Sequence, residues 1–176
     1  MNFEIRKISA VNAPELSALA VTIYKQYFLY LWHEGGEWYM HRCYNLQTIT
    51  EELSDANNIH YIAYANEKPV GYLKIRTNEK LEGYEEKDGL EVERIYILKE
   101  GAGMGLGREL MKLSFDIARS MEKEMVFLKS MSSSIDSIGF YRSIGMEICG
   151  TLTLPFGQMK NEYRGMYILK KESLVR

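Results

Sequence analysis

Four alternate glycines stand between a strand-like run and an amphipathic helix, and this stretch is well suited to holding an anion. The glycines are Gly101, Gly103, Gly105 and Gly107, and the run before them begins at Leu90. Glycine lets bare backbone N–H groups approach a ligand closely, and the first N–H groups of a helix have no partner within it. The spacing therefore predicts a diphosphate site and a nucleotide-bearing cofactor. A flexible turn without a ligand is the alternative.

Two known phosphate-binding patterns do not fit this loop. No Gly-Lys-Ser/Thr follows the glycines, so the P-loop is excluded. The sixth position counted from Gly101 is Leu106, and from Gly103 it is Arg108, so the dinucleotide pattern GxGxxG is never met. Arg108 in the first turn of the helix is unfavourable for the helix dipole alone, and its position makes more sense beside a bound anion.

Two carboxylates in the run before the glycines can supply proton-transfer chemistry. Alternation along a strand places Glu91 and Glu93 on one face, about 7 Å apart, and Ile95 and Ile97 continue that face. Neighbouring carboxylates beside apolar side chains can raise the pKa of one of them towards that of a useful base. The alternative is a pair of solvated acids at a strand edge.

The elements that position these residues follow from the spacing of apolar side chains. A period near 3.6 residues predicts helices and a period of two predicts strands. The order is β-α-α-β-β-β-α-β-α-β-β, which predicts an α+β fold with a mostly antiparallel sheet of six or seven strands flanked by about four helices. The second helix is predicted over about Glu37 to Leu53, and the strand that bears the carboxylates over Leu90 to Leu98.

Composition sets the class of protein. The chain has 176 residues, of which 46% are hydrophobic, and this suits a single domain over residues 1–176. A net charge of −2 argues against a nucleic-acid partner, and no apolar run is long enough for a membrane partner. The N-terminus has no signal-peptide pattern, so a cytoplasmic protein is expected. Cys43 and Cys149 are too few for a disulfide framework, and the three histidines show no metal spacing, so no metal is predicted.

The glycine loop resembles a motif of the GNAT superfamily of N-acetyltransferases. That family carries Q/R-x-x-G-x-G/A between its fourth strand and the next helix, and the matching residues here are Ala102-Gly103-Met104-Gly105-Leu106-Gly107. Both required glycines are present, but Ala102 stands where the family has Gln or Arg. The segment from Ile138 to Met146 is similar to the family's Phe-Tyr…Gly-Phe segment, and Ser134 stands where the family often has Asn. The element order extends the resemblance over about residues 2–170 and implies a GNAT-like fold.

The resemblance implies acetyl-CoA as the cofactor, with its diphosphate on the N–H groups of Met104 to Arg108 and its pantetheine arm along Arg94 to Leu98. The implied cofactor-binding residues are Ile95, Tyr96, Ile97, Ala102, Gly103, Met104, Gly105, Leu106, Gly107, Arg108 and Ser134.

The implied reaction is direct attack of a primary amine on the thioester. An alkyl amine with a pKa of about 10.4 is almost wholly charged at pH 7, so a proton acceptor is useful. In the family either carboxylate position can hold this base, and we expect Glu93 first and Glu91 second. Tyr141 is implied as a hydrogen-bond donor to the leaving sulfur, with protonation of the thiolate as the extreme case. A core tyrosine beside Phe140 is the alternative.

The acceptor is less defined. Most rings of the N-terminal helices are expected in the core, while Tyr27, Trp32 and Trp38 are candidates for substrate binding. The run LEVERIYI is similar to bacterial spermidine/spermine acetyltransferases, so a small amine or polyamine is favoured over a peptide amine. The acceptor stays open, and so does a homodimer. A non-catalytic acyl-CoA-binding or regulatory module, and an interaction module, are the competing hypotheses.

Overall fold

The computed structural model describes residues 3–172; residues 1, 2 and 173–176 of the predicted domain lie outside the described residues. The strands are β1 (Phe3–Lys7), β2 (Asn58–Ala65), β3 (Lys68–Glu79), β4 (Gly89–Ile97), β5 (Met125–Met131), β6 (Glu147–Thr153) and β7 (Gly165–Glu172). The α-helices are α1 (Ala13–Tyr27), α2 (Glu37–Tyr44), α3 (Leu46–Ser54), α4 (Leu106–Ser120) and α5 (Ile135–Ser143). Over residues 3–172 no helix is both long enough and apolar enough to cross a membrane.

The described strands form one seven-stranded sheet in the order β1-β2-β3-β4-β5-β7-β6. Five of the neighbouring pairs are antiparallel, and β4 with β5 is the parallel pair. The prediction of a mostly antiparallel sheet of six or seven strands is therefore confirmed. The parallel pair requires a crossover connection, which α4 supplies.

Helices cover both faces of the sheet, and each face has its own apolar core. On one face, Leu16, Ile23 and Tyr24 of α1 pack against Tyr72 of β3. On the other face, Leu106 and Leu110 of α4 belong to a cluster with side chains of β3, β4 and β5, which are Leu73, Ile75, Leu90, Val92, Val126 and Leu128. Successive residues of β3 thus face opposite cores, as the pleat of a strand requires.

The prediction of one helix over about Glu37 to Leu53 is wrong in one respect, because the described residues form two helices there, α2 and α3. Asn45 lies between them with extended backbone angles, φ −66° and ψ 157°. Its side-chain oxygen accepts from the Thr48 N–H at 2.9 Å, and its amide donates to the carbonyl of His41 at 2.8 Å. One side chain therefore caps the start of α3 and the end of α2, a competition with helical hydrogen bonding that apolar spacing does not reveal.

β4 and β5 stay together over a short distance only. Their pairing covers Gly89, Leu90 and Glu91 of β4 against Met125, Val126 and Phe127 of β5. Beyond Glu91, no residue of β4 pairs with β5 in the described structure, although β4 continues to Ile97 and β5 to Met131. The two strands thus separate and leave an open cleft in the middle of the sheet.

Two leucines in helices allow a matched test of this packing. Leu16 is fully buried in the α1 core, whereas Leu46 of α3 is 53% exposed. We expect Leu16→Ala to lower the free energy of unfolding by about 2–5 kcal/mol because it leaves a cavity, and Leu46→Ala to change it by about 0.5 kcal/mol or less. Urea denaturation of the two variants measures both values. Equal losses would contradict the assignment of α1 to the core.

Candidate active site

The glycine loop joins the end of β4 to the start of α4. Gly103 and Gly105 have φ values of +74° and +85°, which L side chains rarely adopt, and Gly105 is the residue that precedes the first turn of α4. A Cβ added at either glycine would meet no atom within 4 Å. The two glycines are therefore required by the backbone and leave open space beside it.

The N–H groups of this loop are available to a ligand. Among residues 3–172, no internal acceptor is found for the N–H groups from Gly103 to Gly107. The N–H of Arg108, which was predicted as part of the same set, instead donates to the carbonyl of Gly105 at 3.0 Å. Successive unpaired N–H groups at a helix N-terminus make an anion-binding concavity, so the geometry suits a diphosphate.

A cavity of about 740 Å³ occupies the cleft between β4 and β5 and extends to the glycine loop. It is lined by side chains from β4, β5, α1, α5 and the segment between β6 and β7. The predicted site residues that line it are Glu93, Tyr141, Ile95, Tyr96, Ile97, Ala102, Gly103, Gly105, Gly107, Arg108, Ser134, Tyr27 and Trp32.

Four predicted site residues do not line this cavity. Met104 is 44% exposed, and the side chain of Leu106 is buried in the core between α4 and the sheet, so only their backbone N–H groups remain candidates for cofactor binding. Trp38 is 38% exposed on the outer side of Trp32, with ring centroids 6.0 Å apart. The fourth is Glu91, whose side chain is buried in ion pairs.

The prediction that Ile95 and Ile97 share a face with both carboxylates is wrong. Arg94 pairs with Lys74 and Val92 pairs with Ile75, so Glu93 is an extra residue in β4 with no partner in β3. Such a bulge shifts the alternation by one position. The side chains of Ile95 and Ile97 accordingly contact the α4 core, as Val92 does.

Glu93 lies at the edge of a buried ion network. Its carboxylate is 2.6 Å from the ammonium of Lys74, which is also 3.1 Å from Glu52 of α3. Arg94 donates two hydrogen bonds to Glu52, at 2.7 and 3.0 Å. Burial alone would raise the pKa of Glu52, but His60, Arg94 and Lys74 lower it to about 2. Glu52 therefore remains charged at neutral pH and pairs with Lys74 of β3 and Arg94 of β4.

Glu93 also borders a second, polar cavity of about 280 Å³ on the α3 side, together with Lys74 and Glu52. The Glu93 carboxylate thus lies in the wall between a cavity that can hold reactants and a polar cavity. Glu91 has no such position, because its side chain is 4% exposed and accepts a hydrogen bond from Lys129 at 3.0 Å. The geometry favours Glu93 as the proton acceptor of the two.

Tyr141 of α5 is 8% exposed and lines the main cavity while belonging to the α4-side core. Burial raises the pKa of Tyr141, and neighbouring Tyr96 raises it further. A phenol that is harder to ionise is a poor proton donor to a thiolate but remains a good hydrogen-bond donor. The environment therefore suits hydrogen bonding better than proton transfer.

Sequence analysis missed part of the cavity wall. Leu154, Phe156 and Met159 line it from the chain between β6 and β7, Met166 lines it from β7, and Lys129 lines it from β5. No spacing in the sequence connects these residues to the glycine loop.

Among residues 3–172 no group of three or more His, Cys, Asp or Glu side chains could hold a metal ion, and Cys43 and Cys149 are free thiols.

Comparisons with known proteins give a consistent result. The model of the acetyltransferase (GNAT) family matches residues 19–146. A curated relative, "Uncharacterized N-acetyltransferase in pepI 3'region" of Lactobacillus delbrueckii subsp. lactis, is 24% identical over 108 residues, which are 61% of this chain and 62% of the relative. The chain therefore matches less than two thirds of the length of that relative.

Two of the solved structures that resemble this chain cover nearly all of it. One is the PaiA N-acetyltransferase of Thermoplasma acidophilum in complex with coenzyme A, with a TM-score of 0.77, 17% identity, and coverage of 98% of this chain and 100% of that one. The other is the ribosomal-protein-alanine N-acetyltransferase of Brucella melitensis, with a TM-score of 0.73, 22% identity, and coverage of 97% and 99%. At these identities the likeness shows the fold, and the predicted GNAT-like fold is confirmed.

The ion network makes a prediction about acid stability. The pKa of Glu52 is lowered from 4.5 to about 2, so the unfolded chain takes up this proton before the folded chain does as the pH falls. Between pH 4.5 and 2 the parent protein should therefore lose more free energy of unfolding than Glu52→Gln does, by on the order of 3 kcal/mol. Urea denaturation at several pH values measures the difference.

At neutral pH, Glu52→Gln should also be the less stable protein, because Arg94 and Lys74 then lose a buried counter-ion. Glu51→Gln on the same helix is the matched control, since Glu51 is exposed. If the free energy of unfolding fell by the same amount between pH 4.5 and 2 in the parent protein and in Glu52→Gln, the result would contradict the ion network.

Proposed function

The chain belongs to the GNAT family of acetyltransferases, and from this premise we propose that it transfers the acetyl group of acetyl-CoA to a primary amine. The observation that carries the proposal is one continuous cavity, which is lined by the glycine loop, by Glu93 and by Tyr141. Acetyl-CoA supplies an activated acyl group on a thioester. The residues of the chain must hold it, accept a proton from the amine and assist the departure of sulfur.

The glycine loop is the proposed diphosphate site. The N–H groups from Gly103 to Gly107, which have no acceptor among the described residues, supply donors, and the N-terminus of α4 supplies a favourable dipole. Arg108 lines the same end of the cavity and adds a positive charge. The donors are backbone groups, so Ala102 in place of the family's Gln or Arg leaves them intact.

β4 is the proposed track for the pantetheine arm. Within residues 3–172, its residues beyond Glu91 do not pair with β5, so their backbone polar groups are available to an extended ligand. Ile97 lies beside the glycine loop, where its Cγ2 would be 3.1 Å from a Cβ built on Gly101. Glu93 is four residues earlier, a distance of about 13 Å along an extended strand. A chain that follows β4 from the loop therefore leads to Glu93.

Glu93 is the proposed general base. The acceptor ammonium gives one proton to the Glu93 carboxylate, the amine nitrogen forms a C–N bond with the acetyl carbon, and the C–S bond breaks. A second proton of that nitrogen goes to the leaving sulfur, so the products are an acetamide and the CoA thiol. The proton on Glu93 passes to solvent, and the polar cavity beside it offers a route.

Tyr141 is the proposed hydrogen-bond donor to the leaving sulfur. The hydroxyl stays protonated because burial raises its pKa, and the ring is held in the α4-side core next to Phe140, with centroids 5.3 Å apart. Ser134, at the start of α5, lines the cavity near the same helix and is the proposed polar contact to the cofactor.

Incubation of the protein with acetyl-CoA and a panel of primary amines tests the proposal. Release of free thiol and formation of the acetamide, measured by mass spectrometry, are the expected results. Binding of CoA by calorimetry without turnover of any amine would favour a non-catalytic acyl-CoA-binding module. Absence of CoA binding would favour an interaction module and overturn the proposal.

We expect replacement of the two carboxylates of β4 to have different effects, on activity for Glu93 and on stability for Glu91. Glu93→Gln should lower kcat/KM at pH 7 by about 10²–10⁴-fold, and the deficit should shrink as the pH rises because more of the amine is then neutral. Glu91→Gln should instead lower the free energy of unfolding, since Lys129 loses its buried partner, and should leave the shape of the pH profile unchanged. A reversed pattern would assign the base to Glu91.

Two glycines with the same backbone conformation test the diphosphate site. Gly105 and Gly83 have φ values of +85° and +82°, and a Cβ added at either meets no atom within 4 Å. Replacement of each by Ala should cost about 1–2 kcal/mol of stability from the left-handed backbone. Only Gly105→Ala should weaken CoA binding in calorimetry, by about tenfold or more, because its Cβ projects beside the proposed diphosphate. Equal affinities of the two variants would contradict the site.

A further inference from the structure

One end of the main cavity is built mainly from rings. We call it the aromatic chamber, and its members are Tyr24, Tyr27, Phe28, Trp32, Tyr39 and Phe156. The rings contact one another, with centroids of Trp32 and Tyr39 5.1 Å apart and of Phe156 and Tyr39 6.2 Å apart. Leu154, Met159 and Met166 complete the wall with apolar surface. The chamber is thus suited to a flat apolar group.

The chamber is fixed by main-chain hydrogen bonds. The segment between α1 and α2 pairs with the segment between β6 and β7, since the His33 N–H donates to the carbonyl of Gln158 at 3.1 Å and the Lys160 N–H donates to Leu31 at 2.8 Å. Inside the chamber, the indole N–H of Trp32 donates to the Tyr24 hydroxyl at 2.9 Å. A preformed pocket binds a rigid ligand at a low cost in ordering.

Charge is sparse along the cavity. The charged side chains found to line it among residues 3–172 are Glu93, Arg108, Lys129 and Asp136, and none of them belongs to the elements that carry the rings. A polyamine would bring one or two further cations into this space, and each would need a carboxylate partner to offset its desolvation. A cation–π contact of about 0.5–2 kcal/mol is smaller than the cost of burying an unpaired ammonium.

The pKa values of two tyrosines also indicate that the aromatic chamber has low polarity. Burial raises the pKa values of Tyr24 and Tyr39, so both are neutral at pH 7. The same desolvation lowers the pKa of an amine that enters the cavity and so favours its neutral, nucleophilic form. Among residues 3–172 the elements that carry the rings supply no carboxylate to the cavity, so the chamber suits an acceptor with a single amino group.

We propose that the acceptor is an arylalkylamine, a primary amine joined by a short chain to an aromatic ring, with its nitrogen at Glu93 and its ring in the aromatic chamber. The inference rests on the proposed function and narrows the substrate class of the same site. It departs from the polyamine that the sequence favours, because the rings supply apolar contact and, in the part of the chain that the structure describes, the elements that carry them supply no carboxylate to the cavity.

The test compares 2-phenylethylamine and tryptamine with spermidine, putrescine and a peptide that begins with alanine. With acetyl-CoA saturating, kcat/KM for 2-phenylethylamine should exceed that for spermidine by about tenfold or more. A preference of the same size for spermidine, putrescine or the peptide would overturn the inference while leaving the proposed acetyltransferase activity intact.

A matched pair of variants locates the ring. Phe156→Leu should raise KM for 2-phenylethylamine by about tenfold while KM for acetyl-CoA stays unchanged, because a ring contact in the chamber is lost. Phe3→Leu is the control, since Phe3 is a half-buried ring of β1 that packs on the α4 side and does not line the cavity. Equal KM values for the two variants would contradict the placement of the ring.

Calorimetry separates this inference from the proposed function. Titration of 2-phenylethylamine into CoA-saturated protein reports occupation of the chamber whether or not turnover occurs. Binding that Phe156→Leu weakens and Phe3→Leu does not would support the chamber even in a protein without turnover. No measurable binding to the parent protein, in a sample that binds CoA, would overturn the inference.

Discussion

The separation of β4 from β5 is the constraint on which the site depends. The two strands are paired over three residues, and the side chains that line the main cavity from both strands lie beyond that pairing. The bulge at Glu93 occurs at the point where the strands part, and a bulge bends and twists its strand. The same irregularity therefore opens the cleft and turns the Glu93 carboxylate towards Lys74. A regular β4 would close the cleft that we propose as the site of the acyl donor.

An ion network of side chains from α3, β3 and β4 surrounds the bulge at Glu93. Lys74 of β3 lies between Glu93 and Glu52, and Arg94 binds Glu52 with both ends of its guanidinium. A buried ammonium needs such partners, since an unpaired charge in the core is costly. α3 thus helps to set the electrostatic environment of β4 although none of its residues lines the main cavity.

Sequence reasoning predicted the strands, the glycine loop and the sheet type because each depends on local spacing. It did not predict the break at Asn45, since a capping side chain competes with helical hydrogen bonds without altering the apolar period. It also misjudged the face of Ile95, because a single extra residue inverts the alternation of a strand and leaves no mark in composition. Phe156 was not identified, because its approach to Trp32 depends on a pairing between distant segments.

The strand order has a consequence for the growing chain. Every pairing among β1 to β4 is complete within residues 3–97, before β5 begins at Met125. During synthesis the edge of β4 that later pairs with β5 is consequently exposed, with unpaired backbone groups and apolar side chains, until α4 and β5 emerge from the ribosome. The edge that we propose as the track for the pantetheine arm is thus also an edge at which a nascent chain is open to unwanted strand pairing.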